Sequence, residues 1–238
     1  MNMMQTIPAS APLIDIVALS KRYSRGDTVV PIFDNLSLSI PRGRFVALMG
    51  PSGSGKTTLL NMLAGIDRPS SGALSIDGER IDRYGEAALA EWRARTLGFI
   101  FQFYNLMPML TAAQNVELPL LLQRMHAGER RRRVETALEV VGLSDRMKHR
   151  PRELSGGQQQ RVAIARALVA DPKLILADEP TGDLDRPSAD GVLEILRLLS
   201  SELGKTIVMV THDPVAARAA DLTLHLEKGR FVDEAIAA

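Results

Sequence analysis

The sequence has no cysteine, one tryptophan and no long apolar run. Without cysteine, disulfides, thiolate nucleophiles and zinc–thiolate centres are excluded, which suits a reducing compartment. The longest apolar stretches, such as "TIVMV" and "LPLLL", fall far short of the ~18–20 residues that span a bilayer. Residues 1–12, "MNMMQTIPASAP", lack the basic start and apolar centre of a secretory signal. They are expected to form a flexible tail, with a single domain over 13–238 that is soluble on its own. A charge excess is missing too: 29 Lys+Arg against 28 Asp+Glu leaves +1. No nucleic-acid partner is expected on that ground.

What is present is an alternation of strand-like and helix-like segments, which predicts an α/β fold with a mainly parallel sheet. The stretch to about Ile40 is strand-rich, with "SRGD" as turn material, and predicts an antiparallel β-subdomain. "RFVALMG", "LILADE" and "TIVMVTH" are apolar strands of the buried type, each ending in polar or glycine residues. Three such ends predict one site at the carboxyl edge of a sheet. From about 85 to 154 helices dominate, and this section is expected to be a helical subdomain inserted into the core. "ERRRRVETALEVVGL" should be a helix ending at Gly142. Its four arginines, 130–133, are expected on a solvated face. "LTLHLEKGRFVDE" predicts a hairpin turning at Lys228-Gly229.

"GPSGSGKTT", Gly50 to Thr58, fits G-x-x-x-x-G-K-S/T and lies between a strand and a helix, the context that motif requires. The run Gly50, Pro51, Ser52, Gly53, Ser54, Gly55 can wrap its backbone N–H groups around a phosphate, helped by the positive end of the following helix. Lys56 can reach the β- and γ-phosphates, Thr57 can ligate Mg²⁺, and Thr58 follows at the same helix start. Asp178 ends a strand where a carboxylate can hold Mg²⁺. Glu179 beside it is one carboxylate more than a metal needs, and suits a base for the attacking water. His212 ends a third strand at that edge and can donate to the γ-phosphate. His126, His149 and His225 carry no such context.

"LSGGQQQRVAIARAL" poses a puzzle. Ser155 and Gln158 form a capping box, so a helix should start there. Yet Gly156 and Gly157 follow, each costing roughly 0.8–1 kcal/mol against alanine inside a helix.

A P-loop, then "LSGGQ", then a strand ending Asp-Glu, then "GDLD", then a strand ending in His resembles the ordered signature of ABC-type ATPases. The resemblance spans about Ile14 to Val232 and implies a P-loop NTPase core of ABC type binding ATP and Mg²⁺. It implies that Tyr23 stacks on adenine. It also implies that Gln102 in "FIFQ" senses Mg²⁺ and the attacking water, and that Asp185 lies between two nucleotide sites. In that family two copies pair head to tail, and "LSGGQ" of one covers the ATP of the other. Ser155, Gly156, Gly157 and Gln158 then belong to a partner's nucleotide, the glycines clearing space for a γ-phosphate. On that reading Gly157→Val should spare the fold and block the phosphate.

"LLNMLAGIDRPSSG", "GFIFQFYNLMPMLTAAQNVELPL" and "LADEPTGDLD" are similar to the branch holding LolD, MacB and FtsE. Asp183 stands where Asn is common and Gln114 where Glu is common. The branch implies a homodimer or paired ABC ATPase on the cytoplasmic face of a bacterial inner membrane. It also implies an integral permease, encoded separately because no membrane segment is seen in this sequence. In "FQFYNLMPML" about half of the apolar side chains are expected in a local core. The rest should form a groove for a partner's helix. The alternative is a soluble ABC ATPase serving iron–sulfur or DNA-related assemblies. Within that alternative, no heptad run matches the coiled-coil arms of DNA-repair types and one cassette does not match translation types. A third class, a P-loop kinase or GTPase, would leave "LSGGQ" unexplained and lacks its N-K-x-D guanine motif.

Overall fold

The computed structural model describes residues 11–26 and 28–232; residues 1–10 of the expected tail lie outside them. The chain runs β1 (Ile14–Arg25), β2 (Thr28–Ile40), β3 (Phe45–Met49), α1 (Lys56–Leu63), β4 (Ser71–Ile76) and β5 (Glu79–Arg80). It continues α2 (Glu86–Thr96), β6 (Leu97–Ile100), α3 (Ala112–Glu117), α4 (Ala127–Val140) and α5 (Gly156–Leu168). It ends β7 (Leu174–Asp178), α6 (Arg186–Ser201), β8 (Thr206–Val210), α7 (Pro214–Ala217), β9 (Leu222–Glu227) and β10 (Arg230–Phe231).

A four-stranded sheet in the order β2-β1-β4-β5 forms the antiparallel β-subdomain. Along β2, Leu36, Leu38 and Ile40 are buried between exposed neighbours, the period-two pattern of a sheet wet on one face. The second sheet has six strands in the order β10-β9-β3-β8-β7-β6. Its pairs from β9 to β6 are parallel. Strands β3, β7 and β8 read as unbroken apolar runs because a parallel sheet is covered on both faces. β9 and β10 close through Lys228 and Gly229, with φ of 47° and 76°. Two positive φ values in a two-residue loop suit the twist of the flanking strands.

The core divides by face. Phe45 and Ala47 of β3, Ile175 and Ala177 of β7, and Ile207 and Met209 of β8 pack with α3, α4, α5 and α6. The alternate residues Val46, Leu48, Leu174, Leu176, Val208 and Val210 pack with α1, β1, β2 and α2.

The all-helical reading of 85–154 needs correction. Leu97–Ile100 is a strand of the parallel sheet, paired with β7. Helix α2 buries Leu89 and Trp92 in the core shared with α1. The helical insertion therefore follows Ile100. "LGFI" is too short to reveal its period, and its ladder partner β7 lies more than seventy residues away. The four arginines also differ from a plain solvated face. Arg131 and Arg133 pair along α4 with Glu135 and Glu129, but Arg130 is partly buried and binds Glu117 of α3 at 2.7 Å.

Candidate active site

Strands β3, β8 and β7 are neighbours, so their carboxyl ends deliver Gly50, His212 and Asp178-Glu179 to one edge. A cavity of about 510 Å³ opens there. Gly50, Ser52, Gly53, Gly55, Lys56, Thr57, Thr58, Gln102, Asp178, Glu179 and His212 line it. These come from four separate stretches of sequence. Pro51 and Ser54 complete the same loop, Ser54 being buried with its hydroxyl oxygen unpaired.

The loop's path demands glycine. At Gly50, φ is 151°, and a Cβ would stand 2.1 Å from the Leu226 carbonyl oxygen. Gly55 is left-handed, with φ of 105°, and caps α1 without a side chain. The first-turn N–H groups of α1 have no intrahelical partners, so this helix end carries partial positive charge toward the cavity. Lys56 Nζ donates to the carbonyls of Gly50 and Pro51 at 2.8 and 2.9 Å.

Asp178 is half-buried at the end of β7. Burial, then the charge of Glu179, push its carboxyl above the usual range against the pull of Lys56. A divalent cation would relieve that penalty. Thr57, Gln102 and Asp178 offer hard oxygen donors in this cavity. Among the described residues no three His, Cys, Asp or Glu side chains gather to form a metal cage. Few protein ligands and remaining positions for phosphate and water fit Mg²⁺.

Glu179 has φ of 46°, a left-handed conformation that costs an L-residue about 1–2 kcal/mol. Two bonds hold it there: Glu179 N–H donates to the Val210 carbonyl, and its own carbonyl accepts from Gly182 N–H, both at 3.0 Å. Its Oε1 lies 2.7 Å from His212 Nδ1. With a carboxylate as acceptor, Nδ1–H donates and Nε2 remains for a ligand. The hydrogen bond and charge of Glu179 raise the His212 pKa above its ordinary value.

The remaining expected residues do not line this cavity. Tyr23 lies on β1, more than one-third exposed. Asp185 caps α6 by accepting from Ser188 N–H at 3.0 Å; the Ser188 hydroxyl, then this N–H, lower its pKa. Ser155 caps α5: its Oγ accepts from Gln158 N–H at 3.3 Å, while Ser155 N–H donates to Gln158 Oε1 at 2.9 Å.

The two glycines have partners inside their own chain. A Cβ on Gly156 would meet the Tyr104 hydroxyl at 2.9 Å. One on Gly157 would meet Ser188 Oγ and Cβ at 2.7 and 2.8 Å. A side chain at 157 thus strains the contact where α5 crosses the start of α6, so Gly157→Val is expected to cost stability as well. Gly157→Ala is expected to lower stability by about 1–3 kcal/mol through overpacking. Ser188→Gly should restore most of that loss, since only the Cα, at 3.7 Å, would remain opposite. Urea unfolding of both single variants and the double variant measures it. Full additivity would show that the clash is not the cause.

Two residues that brace the site escape a reading by motif. Gln160 is fully buried on α5, and its Nε2 donates to the Pro180 carbonyl at 2.7 Å and to that of Phe101 at 3.3 Å. Arg166 donates to the carbonyls of Tyr104 and Asn105 at 2.8 and 2.5 Å. Gln160 ties the "LSGGQ" helix to the segments flanking both Gln102 and Glu179, and Arg166 ties it to the segment after Gln102. A glutamine on the buried stripe of α5 was the available signal.

The family described as ABC transporter matches residues 33–182. The macrolide export ATP-binding/permease protein MacB 1/2 of Paracoccus denitrificans is 50% identical over 93% of this chain, which spans only 33% of that protein. The lipoprotein-releasing system ATP-binding protein LolD of Pseudomonas fluorescens is 46% identical, over 90% of this chain and 94% of its own. Among solved structures, the dimeric post-hydrolysis ATP-binding cassette MJ0796 bound to ADP and Pi has a TM-score of 0.83 and 41% identity. That match covers 92% of this chain and 97% of the other.

Proposed function

The chain belongs to the ABC transporter family, in its LolD/MacB-like branch, and hydrolyses ATP; on that premise we propose that two copies, or this chain and a similar one, close head to tail on ATP to drive a separate membrane permease. One observation carries the reading. The P-loop group lines a cavity, whereas Ser155, Gly156, Gly157, Gln158 and Asp185 of the same chain lie outside it. A single copy therefore has a phosphate cradle without its cover.

In this reading ATP lies with its phosphates on the P-loop and its adenine on Tyr23. Thr57, Asp178 and Gln102 would hold Mg²⁺, which would supply positive charge against the phosphates. Glu179 orients a water for attack on the γ-phosphorus. The bond to the ADP oxygen breaks, and the water's proton passes to the carboxylate. His212 Nε2 faces the γ-phosphate. The "LSGGQ" helix start of the partner covers that phosphate from the other side. Hydrolysis removes the group that joins the halves, so the closed state loses its ligand-dependent advantage.

The permease side has a candidate surface. A groove of about 570 Å³ runs beside β6, lined in part by Ile66, Leu97, Phe99, Phe101, Leu118 and Leu122. Phe99 and Phe101 stack at 4.3 Å. Phe103, Met107 and Met109 are more than half exposed nearby in sequence, while Leu106 packs against the core. An apolar groove of this kind suits a short amphipathic helix. Among the described residues no helix is long and apolar enough to cross a membrane. We place the chain at the cytoplasmic face of the inner membrane, held there through that permease.

The absence of cysteine makes the head-to-tail arrangement easy to test. Ser52→Cys and Ser155→Cys chains, each also carrying Glu179→Gln, are mixed with ATP and Mg²⁺ under mild oxidation. A covalent dimer should form between the two variants and require ATP. Cross-links only between identical variants would sink the arrangement.

A further inference from the structure

Tyr23 is joined to a small polar network that the phosphate chemistry does not use. Its hydroxyl donates to Asp67 Oδ2 at 2.5 Å. The other oxygen, Oδ1, accepts from Lys21 Nζ at 2.5 Å and from Arg68 N–H at 2.7 Å. Lys21 is 7% exposed; it also donates to the Arg68 carbonyl at 2.8 Å, and its Nζ stands 4.5 Å from the centre of the Tyr23 ring. Thr58, in the first turn of α1, also acts on the Tyr23 hydroxyl electrostatically. Asp67 follows α1, its N–H bonded to the Asn61 carbonyl at 3.2 Å. Burial raises the Asp67 carboxyl, but the bonds from Lys21 and Tyr23 outweigh it and hold the group below its usual range.

We propose that Lys21 and Asp67 are positioning residues for the base of the nucleotide: they fix the Tyr23 ring against the helix that cradles the phosphates. The inference rests on the reading that Tyr23 stacks on the base. Lys21 backs one face of the ring, leaving the other for a planar ligand. Asp67 ties the hydroxyl to the far end of α1, where its own N–H donates to the Asn61 carbonyl. A tyrosine near a strand end would otherwise lose rotamer freedom on binding, a cost comparable to the gain from a single stack. Here the ring is ordered before the nucleotide arrives. The bond between a phenol and a charged carboxylate is of the stronger class. Removing either partner should therefore loosen the ring without touching the phosphate loop.

The test compares two ligands, a non-hydrolysable ATP analogue and tripolyphosphate, which has no base, both with Mg²⁺ and measured by calorimetry. Tyr23→Ala should weaken the analogue about tenfold, the scale of one base–aromatic stack, and leave tripolyphosphate unchanged. Tyr23→Phe and Asp67→Asn should each weaken the analogue by about threefold to fivefold, again sparing tripolyphosphate. The double variant should lose less than the product of the two single losses, because Tyr23→Phe removes and Asp67→Asn weakens the same Tyr23–Asp67 bond. If Tyr23→Ala acts but Tyr23→Phe and Asp67→Asn do not, the network does not position the ring. Equal losses for both ligands in Asp67→Asn would assign Asp67 a general structural role and overturn the proposal. An unchanged analogue affinity in Tyr23→Ala would instead reject the stacking on which it rests. Tyr23→Phe removes only a partly exposed hydroxyl, so the comparison survives if Asp67→Asn folds poorly.

Discussion

Glu179→Gln should bind ATP much as the parent chain does, yet lose hydrolysis by about 10²–10⁴-fold, the usual contribution of a general base. The substitution keeps size and polarity, so the carbonyl oxygen of the new amide can still accept from His212 Nδ1, which lies 2.7 Å from the present carboxylate. What disappears is the charge and the proton-accepting oxygen. The left-handed backbone at 179 comes from the bonds to Val210 and Gly182, which involve no side chain and should persist. A chain that binds but does not cleave should accumulate in the closed pair. Size-exclusion chromatography with ATP and Mg²⁺ would show a dimer, and phosphate release would give the rate. A variant that turns over ATP at the parental rate would remove Glu179 from the chemistry.

Lys56→Ala should act earlier, on binding itself. The ammonium is held by the Gly50 and Pro51 carbonyls. Those contacts fold the loop around the cation and keep it close to where phosphates must lie. Exchange of two neutral acceptors for phosphate oxygens strengthens the bonds, since charged acceptors make the shorter and stronger ones. Loss of one or two such bonds, at about 1.5–3 kcal/mol each, corresponds to roughly tenfold to several-hundredfold in affinity. Titration calorimetry with a non-hydrolysable ATP analogue measures it directly. Unchanged affinity would mean that the phosphates do not reach this loop. The fold should tolerate the change, because Lys56 sits at the cavity rim and not in either core.

Much of this site was legible because its chemistry is local in sequence. The P-loop needs Gly50, Gly55, Lys56 and Thr57 within one turn, and so declares itself in nine residues. Asp178 and His212 could be placed because each ends an apolar run of the buried type. Legibility failed where a residue's reason lies in a distant partner. β6 is a strand because β7 offers it a ladder, and nothing in "LGFI" says so. Gly157 is small because Ser188 of α6 lies against it, a contact that the spacing in "LSGGQ" cannot show. The same holds for Lys21 and Asp67, an ordinary basic strand residue and an ordinary loop acid until the fold joins them 46 positions apart. The capping box at Ser155 was read correctly because both of its bonds fall within four residues.

The alternation of β7 between two cores gives adjacent residues different addresses. Ile175 packs under the helices that carry "LSGGQ" and Asp185, whereas Leu176 packs under the phosphate-binding helix and the strand that bears Tyr23. Their side chains leave opposite faces of one strand. Trimming one or the other therefore loosens different halves of the machine from positions a single residue apart. The sheet acts as a party wall: it joins the two compartments rigidly at their shared edge, where Asp178 emerges, yet keeps their packing defects separate. A family of methyl-sized deletions along β3, β7 and β8 would accordingly sort by parity, odd positions softening the cover and even positions softening the cradle.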